Sequence, residues 1–234
     1  MLENAVNPFE GTNRMLSATA VVHLQDERTR AWHEQPGGVN GASGGDLNGA
    51  SGSGLHADSE ADFLALAARQ HRANFDLWHI EDEARTPGAT DAALADVKRR
   101  IDCTNQLRND LAEQLDRTLL EWLGPQGLPN AAAALHSESP GLMIDRLSIL
   151  ALKIYHTSEE AERRDAPEGH CARNEERLSV LVEQRADLAA CLDALWRETL
   201  AGARRFKLYR QLKMYNDPAL NPAIYRSSAS GETR

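Results

Sequence analysis

Residues 139–156 read SPGLMIDRLSILALKIYH, and this stretch decides the fold. Ser139 can cap free N–H groups with its hydroxyl, and Pro140 falls at the first helical position, where no donor is lost. From Leu142 to Ile154 apolar residues then point in nearly every direction around the helix axis. A surface helix has a single apolar face, so this pattern predicts a central, mostly buried helix.

The few charged residues of this central helix are its most informative positions. At about 100° per residue, four of them share one stripe roughly 100° wide: Asp145, Arg146, Lys153 and His156. Burial of an unpaired charge is costly, so the stripe must face partner charges, a wet cleft or a ligand. The sequence leaves these three alternatives open.

The composition favours a globular all-α protein. The 234 residues suffice for one sizeable core, since 41% are hydrophobic and 26% are charged. Alanine, leucine, arginine and glutamate dominate, whereas β-branched and aromatic residues are few, which favours helices. No segment alternates between polar and apolar residues as a strand does.

Charge and hydropathy exclude several classes of function. The net charge of −9 argues against general nucleic-acid binding and against attraction to an anionic membrane. Residues 1–8 lack the features of a signal peptide, and no apolar run has the length of a membrane span. We therefore expect a cytoplasmic protein. Cys103, Cys171 and Cys191 are too widely spaced to predict a disulfide framework or a zinc knuckle.

Breaker residues divide the chain into five segments. A loose N-terminus over 1–13 precedes an accessory helix over 14–36, which Pro36 ends. A Gly/Ser-rich flexible linker follows over 37–57 and leads to a helical bundle domain over 58–226. Residues 227–234 form a loose tail.

Within the bundle domain the apolar spacing predicts four long helices. Asp58 or Ser59 caps the first of them, and the next spans 90–123 after a short connection that makes the two antiparallel neighbours. The central helix follows, and the last helix runs to about Gly202 and continues, bent, to Tyr215. The predicted architecture is an antiparallel four-helix bundle with an accessory N-terminal helix.

The first long helix carries a polar line that could bind a ligand. Asn74, Trp78, Glu81 and Arg85 fall on one line along that helix. A carboxylate and a guanidinium one turn apart, beside an indole, can hold an anion or the face of a sugar. The alternative is a solvated ion pair that contributes about 0.3–0.5 kcal/mol.

Arginines at apolar seams are a second candidate feature. Arg108 lies at the seam of the next helix, beside a ridge that includes two amides, Asn105 and Asn109. A guanidinium there needs acceptors, and Asp145 or Glu81 can supply them. In the last helix Arg185 also falls among core-facing leucines. A purely structural buried network explains both arginines equally well.

A basic segment with aromatic residues follows the last helix. Lys207 and Lys213 lie near Phe206, Tyr209 and Tyr215. Cations beside stacking surfaces suit a phosphate, a nucleotide or an acidic partner helix. The alternative is that the cations only complement the C-terminal dipole of a helix.

Patterns for metal and cofactor binding are weak. A di-iron bundle needs two Glu-x-x-His repeats, and the chain offers one distant analogue, Asp76-x-x-His79. A magnesium cluster finds only a loose set of acids: Glu81, Asp82, Glu113 and Asp116. The dipeptide Trp32-His33 repeats Trp78-His79, which chance can explain. The sequence thus predicts no metal site and identifies no cofactor.

Four motifs resemble a known family. They are LWHIEDEAR over 77–85, NQLRNDL over 105–111, SESPGLMIDRLSIL over 137–150 and KMYNDP over 213–218. They are similar to the motifs of a bacterial family described only as domain of unknown function 4254. The resemblance covers roughly 18–225 apart from the Gly/Ser linker. It implies the helical fold but no activity and no catalytic residues.

The leading hypothesis is a polar cleft between helices that binds an anionic phosphorylated small molecule, such as a phosphorylated sugar or a nucleotide. Its cations would come from Arg108, Arg146, Lys153 and Arg185, and its orienting amides from Asn74 and Asn105. The general acid/base candidates, if the ligand is turned over, are Glu81, Asp145 and His156. The rival hypothesis is a non-enzymatic interaction module with a protein partner or a second copy of the chain.

Overall fold

The chain folds into five helices in the parts that the computed structural model describes, which are residues 15–35, 59–212 and 219–222. The helices are α1 Ala18–Glu34, α2 Glu60–Glu83, α3 Asp91–Leu123, α4 Pro140–Ala161 and α5 His170–Leu200. Two short strands, β1 Ala134–Leu135 and β2 Arg204–Arg205, pair in parallel. The predicted all-α class is confirmed. The loose N-terminus, the Gly/Ser linker and the C-terminal tail lie outside the described residues.

Helix starts follow the capping residues of the sequence. The hydroxyl of Ser59 accepts the N–H of Asp62 at 3.2 Å, and the hydroxyl of Thr90 accepts that of Ala93 at 3.2 Å. Helix α1 starts later than expected, because Ser17 takes the capping position. These caps satisfy backbone donors that a helix start otherwise leaves free.

Helix α4 is the centre of the molecule, as its apolar run predicts. It packs against all four of the other helices. Met143, Ile144 and Leu147 on α4 are each at most 1% exposed. Burial of each such side chain stabilises the fold by about 1.5–3 kcal/mol. Even so, no helix within the described ranges is both long and apolar enough to cross a membrane. The antiparallel arrangement of four long helices stays a prediction.

The start of α4 is capped differently from the expectation. The hydroxyl of Ser139 donates to Asp116 of α3 instead of capping its own helix. The other carboxylate oxygen of Asp116 accepts the N–H of Gly141 at 2.7 Å. A Cβ at Gly141 would overlap the carbonyl oxygen of Ala112, so only glycine allows this approach. Burial raises the pKa of Asp116 to about 6, although both hydrogen bonds oppose the shift.

Helix α1 is more deeply integrated than the accessory helix that the sequence predicts. It packs against α2, α4 and α5. Its Val21, and Met15 and Leu16 just before it, belong to the main hydrophobic core. The buried face of α1 is not purely apolar, because Gln25 and Thr29 are also buried, at 0% and 1% exposure. The Gln25 amide nitrogen donates to the carbonyl of Ile144, and the Thr29 hydroxyl bonds to Gln25 and His71. The amide oxygen of Gln25 is buried without a partner among the described residues.

The prediction of a bent helix from Gly202 to Tyr215 is wrong for the residues that the structure describes. Helix α5 ends at Leu200, and Gly202 adopts a left-handed conformation with φ of 71°. Glycine in this conformation ends helices, because residues with a Cβ rarely adopt it. The chain then enters β2, and Phe206 is buried at 2% exposure. The segment therefore returns to the core.

Candidate functional site

A partly buried ion pair joins α3 to α4. Nε of Arg108 donates to one oxygen of Asp145 at 2.7 Å, and its Nη2 donates to the other at 2.5 Å. The amides of Gln70 and Asn74 on α2 add hydrogen bonds to the first oxygen at 2.6 and 3.0 Å. The bond to Asp145 raises the pKa of the Arg108 guanidinium, and burial opposes that rise. Asp145 is thus one of the acceptors that Arg108 was expected to need.

A chain of hydrogen bonds extends from this pair to α1. Asn74 donates to the hydroxyl of Ser148 at 2.9 Å, and that hydroxyl lies 2.7 Å from Nδ1 of His71. Nε2 of His71 lies 2.9 Å from the hydroxyl of Thr29, which itself donates to the carbonyl of Gln25 at 2.8 Å. The network therefore assigns the ring proton to Nε2. Burial lowers the pKa of His71 to about 4, so the ring is neutral at pH 7.

A cleft opens beside the Arg108–Asp145 pair, between α2, α3 and α4. Its volume is about 340 Å³, which lies within the usual range for small-molecule sites. The whole polar line predicted on the first long helix borders it, together with Arg108. The lining residues are Asn74, Leu77, Trp78, Glu81, Asp82, Arg85, Arg108, Ile149 and Leu152.

The cleft carries charges of both signs. Arg85 pairs with Glu81 at 3.2 Å, and their side chains are 69% and 41% exposed, so the pair itself adds little stability. Arg108 is compensated by Asp145, and Asp82 adds a further carboxylate at the wall. The cleft therefore contains both positive and negative side chains and is not strongly positive. A ligand must match both guanidinium and carboxylate groups.

Three predicted cations lie away from the cleft. Arg146 pairs with Glu138 at 2.9 Å and its side chain is 56% exposed, because one residue of rotation turns it from the direction of Asp145 toward solvent. Arg185 pairs with Asp26 at 2.6 Å, since α5 packs on α1 at that point. Lys153 is exposed on the outer face of α4.

The remaining predicted residues are also placed outside the cleft lining. Asn105 and Asn109 are half-buried on α3, and neither lines the cleft. Lys207 is exposed just after β2. Lys213 lies outside the described residues. His156 does not line the cleft, but its ring stacks on Trp78, which does.

Three histidines from three helices converge at the far side of Trp78. His33 of α1, His79 of α2 and His156 of α4 each place one ring nitrogen within 4.8 Å of the other two. Nδ1 of His33 and Nδ1 of His79 each donate to the backbone carbonyl four residues earlier, at 2.7 and 2.8 Å. Nδ1 of His156 donates to Glu159 at 3.0 Å. In all three rings, therefore, Nε2 carries the lone pair.

Two of these lone pairs are buried and unpaired. Nε2 of His33 and Nε2 of His156 have no hydrogen-bond partner among the described residues. Burial lowers the pKa of both rings, which favours their neutral forms. Neutral imidazole is the form that binds metal ions.

One feature of the sequence, the repeated Trp-His dipeptide, points to this histidine cluster. The repeated Trp-His dipeptides lie on α1 and α2, and the rings of His33 and His79 are 5.2 Å apart between centroids. Trp32 of the first dipeptide stacks on His71, whereas Trp78 of the second stacks on His156. The two Trp-His dipeptides, whose repetition chance could explain in the sequence, therefore bring their histidines together in the folded chain.

A comparison with family models gives one match. A model described as a protein of unknown function (DUF4254) matches residues 64–208, which is more than half of the chain. The matched span includes the whole cleft lining, His79 and His156, whereas His33 precedes it. No curated protein and no solved structure matches the chain.

Proposed function

This chain belongs to the DUF4254 family of proteins of unknown function, and we propose that it binds a phosphorylated sugar or a nucleotide in the cleft between α2, α3 and α4. The proposal includes a cytoplasmic location, where such metabolites occur. The observation that supports it best is the position of Arg108, held by Asp145 at the border of a cleft that also contains Trp78 and Arg85.

Arg108 suits the recognition of an anionic group because it is already fixed. Asp145 occupies Nε and Nη2, which leaves Nη1 free for a ligand within the described part of the chain. A guanidinium that is held in place loses little conformational entropy when it binds. Arg85 also lines the cleft, and its largely exposed side chain is able to turn toward a ligand. The cleft thus offers two guanidinium groups to one phosphate.

The rest of the cleft suits a hydroxylated ring. Trp78 offers an aromatic face, and Leu77, Ile149 and Leu152 surround it with apolar surface. Glu81 and Asp82 can accept hydrogen bonds from hydroxyl or amino groups. The carboxylates would repel a polyanion. The ligand class that fits best therefore combines one phosphorylated end with a neutral polar ring.

The three acid/base candidates differ in how freely they can act. Glu81 lines the cleft and is partly exposed, so it can exchange a proton with a ligand. Asp145 accepts four hydrogen bonds, so we assign it the positioning of Arg108. His156 is separated from the cleft lining by its contact with Trp78. If the ligand is turned over, Glu81 is the residue we expect to carry the proton.

The rival function, a protein-interaction module, has one supporting observation. Helix α5 exposes Val180 and Val182, with 51% and 44% of each residue accessible. The basic segment first considered for this role is partly used by the fold, because Arg205 donates to the carbonyl of Ala133 and Phe206 is buried. The end of that segment still exposes Leu212, at 80%, so a partner can meet either surface.

Thermal-shift measurements with sugar phosphates, nucleotides and the matching unphosphorylated compounds test the proposed ligand class. We expect stabilisation by at least one phosphorylated compound and none by its unphosphorylated form. Arg85→Gln should weaken that binding by about tenfold, as expected for the loss of one charged hydrogen bond.

The matched control is Arg99→Gln. Arg99 is 70% exposed and pairs with Asp96, whereas Arg85 is 69% exposed and pairs with Glu81, so the two arginines differ mainly in their distance from the cleft. Equal binding by the two variants, or no stabilisation of the wild type by any phosphorylated compound, would contradict the proposal.

A further inference from the structure

We propose that His33, His79 and His156 form a binding site for a divalent transition-metal ion, with Zn²⁺ as the best fit to three imidazole ligands. This site lies outside the lining of the cleft and does not depend on the function proposed for the cleft.

The distances allow the three rings to share one ion. Their ligand nitrogens already lie within 4.8 Å of one another. Tetrahedral coordination with Zn–N bonds of about 2.0–2.1 Å separates two ligand nitrogens by about 3.4 Å. Each pair must therefore approach by about 1.4 Å at most, which small rotations of the side chains can provide.

The hydrogen bonds of the rings orient them as metal ligands are oriented. Each Nδ1 donates to an oxygen: the carbonyl of Thr29 for His33, the carbonyl of Phe75 for His79, and the carboxylate of Glu159 for His156. Ligating histidines nearly always donate their second ring N–H to such an oxygen, which fixes the tautomer and makes the other nitrogen a better ligand.

The unpaired nitrogens give a second argument for a ligand. Nε2 of His33 and of His156 are buried and accept no hydrogen bond in the described residues. A buried acceptor without a partner is destabilising. Stacking of Tyr155 on His33 and of Trp78 on His156 explains why the rings are packed, but it supplies no hydrogen-bond donor to the two buried nitrogens. A cation bound there removes this cost.

The proposed site would leave one coordination position open. Three neutral nitrogen ligands hold a tetrahedral ion while a fourth position remains for water or another small ligand. The three ligands come from α1, α2 and α4, so metal binding would also tie the N-terminal helix to the rest of the bundle. We therefore expect the bound ion to stabilise the folded chain.

Metal titration of the full chain tests the site directly. After treatment with a chelator, Zn²⁺ binding is measured by calorimetry and Co²⁺ binding by the visible absorption of tetrahedral cobalt. We expect one ion per chain and a tetrahedral cobalt spectrum. His79→Gln and His156→Gln should each weaken binding by about 100-fold or more, because they remove a ligand itself rather than a residue that orients one.

The matched control is His170→Gln. His170 has the same 23% side-chain exposure as His156 and also bonds to a glutamate, Glu160, although through Nε2 instead of Nδ1. It should bind the metal as the wild type does. Nitrogen-15 spectra of the wild-type histidine rings give a second readout if a variant fails to fold, since Zn²⁺ should shift three rings. The absence of cobalt and zinc binding by the wild type would overturn the proposal, as would equal binding by all variants or unshifted ring resonances.

Discussion

Two polar clusters lie inside this bundle, and they differ in how their ionisable side chains are used. The carboxylate of Asp145 accepts four hydrogen bonds from Gln70, Asn74 and Arg108. In the histidine cluster, by contrast, Nε2 of His33 and Nε2 of His156 accept none from the described residues. A carboxylate that accepts four hydrogen bonds positions its neighbours, whereas an imidazole nitrogen without a partner is available to a transition-metal ion. The amide oxygens of Gln25 and Gln70 are also buried without a partner, but amide oxygens are poor ligands for such an ion. The comparison separates a positioning role from a binding role.

Removal of the saturated carboxylate should have the largest effect on stability. Asp145→Ala leaves the guanidinium of Arg108 half-buried without its partner, so we expect the free energy of unfolding to fall by about 3 kcal/mol. Arg146→Ala, at the next position, breaks an exposed pair with Glu138 and should cost less than about 1 kcal/mol. Urea denaturation of both variants measures the difference. Similar losses in the two would mean that Asp145 is not part of a structural network.

The pH dependence of stability should show that His71, in the hydrogen-bond chain next to Asp145, is neutral in the folded protein. The pKa of His71 is about 4 in the folded chain and 6.5 in its ordinary state, so the unfolded chain binds the extra proton between these values. The stability that this shift contributes is present above pH 6.5 and is lost as the pH falls toward 4. Between pH 7 and pH 5 the free energy of unfolding of the wild type should fall by about 2 kcal/mol more than that of His71→Gln.

Urea denaturation at the two pH values, for wild type and His71→Gln, measures this loss. Asp116 changes the stability in the opposite direction. Its pKa is raised to about 6, so the stability that its protonated form contributes is lost as the pH rises. It is present in both proteins, so the difference between them isolates His71. Parallel pH profiles for the two proteins would show that the ring is not held neutral.

The smallest expected effect concerns the orientation of a single ring. Glu159→Gln weakens the acceptor for Nδ1 of His156, and we expect Zn²⁺ affinity to fall by about tenfold, or about 1.4 kcal/mol. Glu160→Gln, which alters the acceptor of His170 instead, should leave the affinity unchanged. Calorimetric titration distinguishes the two. An equal loss in both variants would point to a general effect of acidic charge rather than to ring orientation.

Much of the fold could be predicted from the sequence because it depends on local signals. Ser59 and Thr90 cap helices where their spacing places them, and the apolar run after Pro140 forms the central helix. The cluster of Arg108 with Asp145 also followed from chemistry, since a guanidinium at an apolar seam needs an acceptor. These predictions require only the helical period of 3.6 residues and the energetic cost of burying an unpaired charge.

The rest depends on which helix lies beside which, and a helical period does not contain that information. Arg185 faces Asp26 because α5 packs on α1, and Arg146 turns outward although it shares a stripe with Asp145. His33 and His79 are separated in sequence by the Gly/Ser segment, so their meeting could not be inferred from spacing. Contacts between distant segments had to come from the structure.

X-ray absorption spectroscopy of the zinc-loaded chain tests the contrast between saturated and unsaturated acceptors most directly. We predict a first shell dominated by nitrogen at about 2.0–2.1 Å, with the multiple-scattering pattern of three imidazole rings, and its loss in His79→Gln. A shell of carboxylate or water oxygens, or a sulfur ligand at about 2.3 Å, would contradict it, because the ion would then bind somewhere other than the histidine cluster.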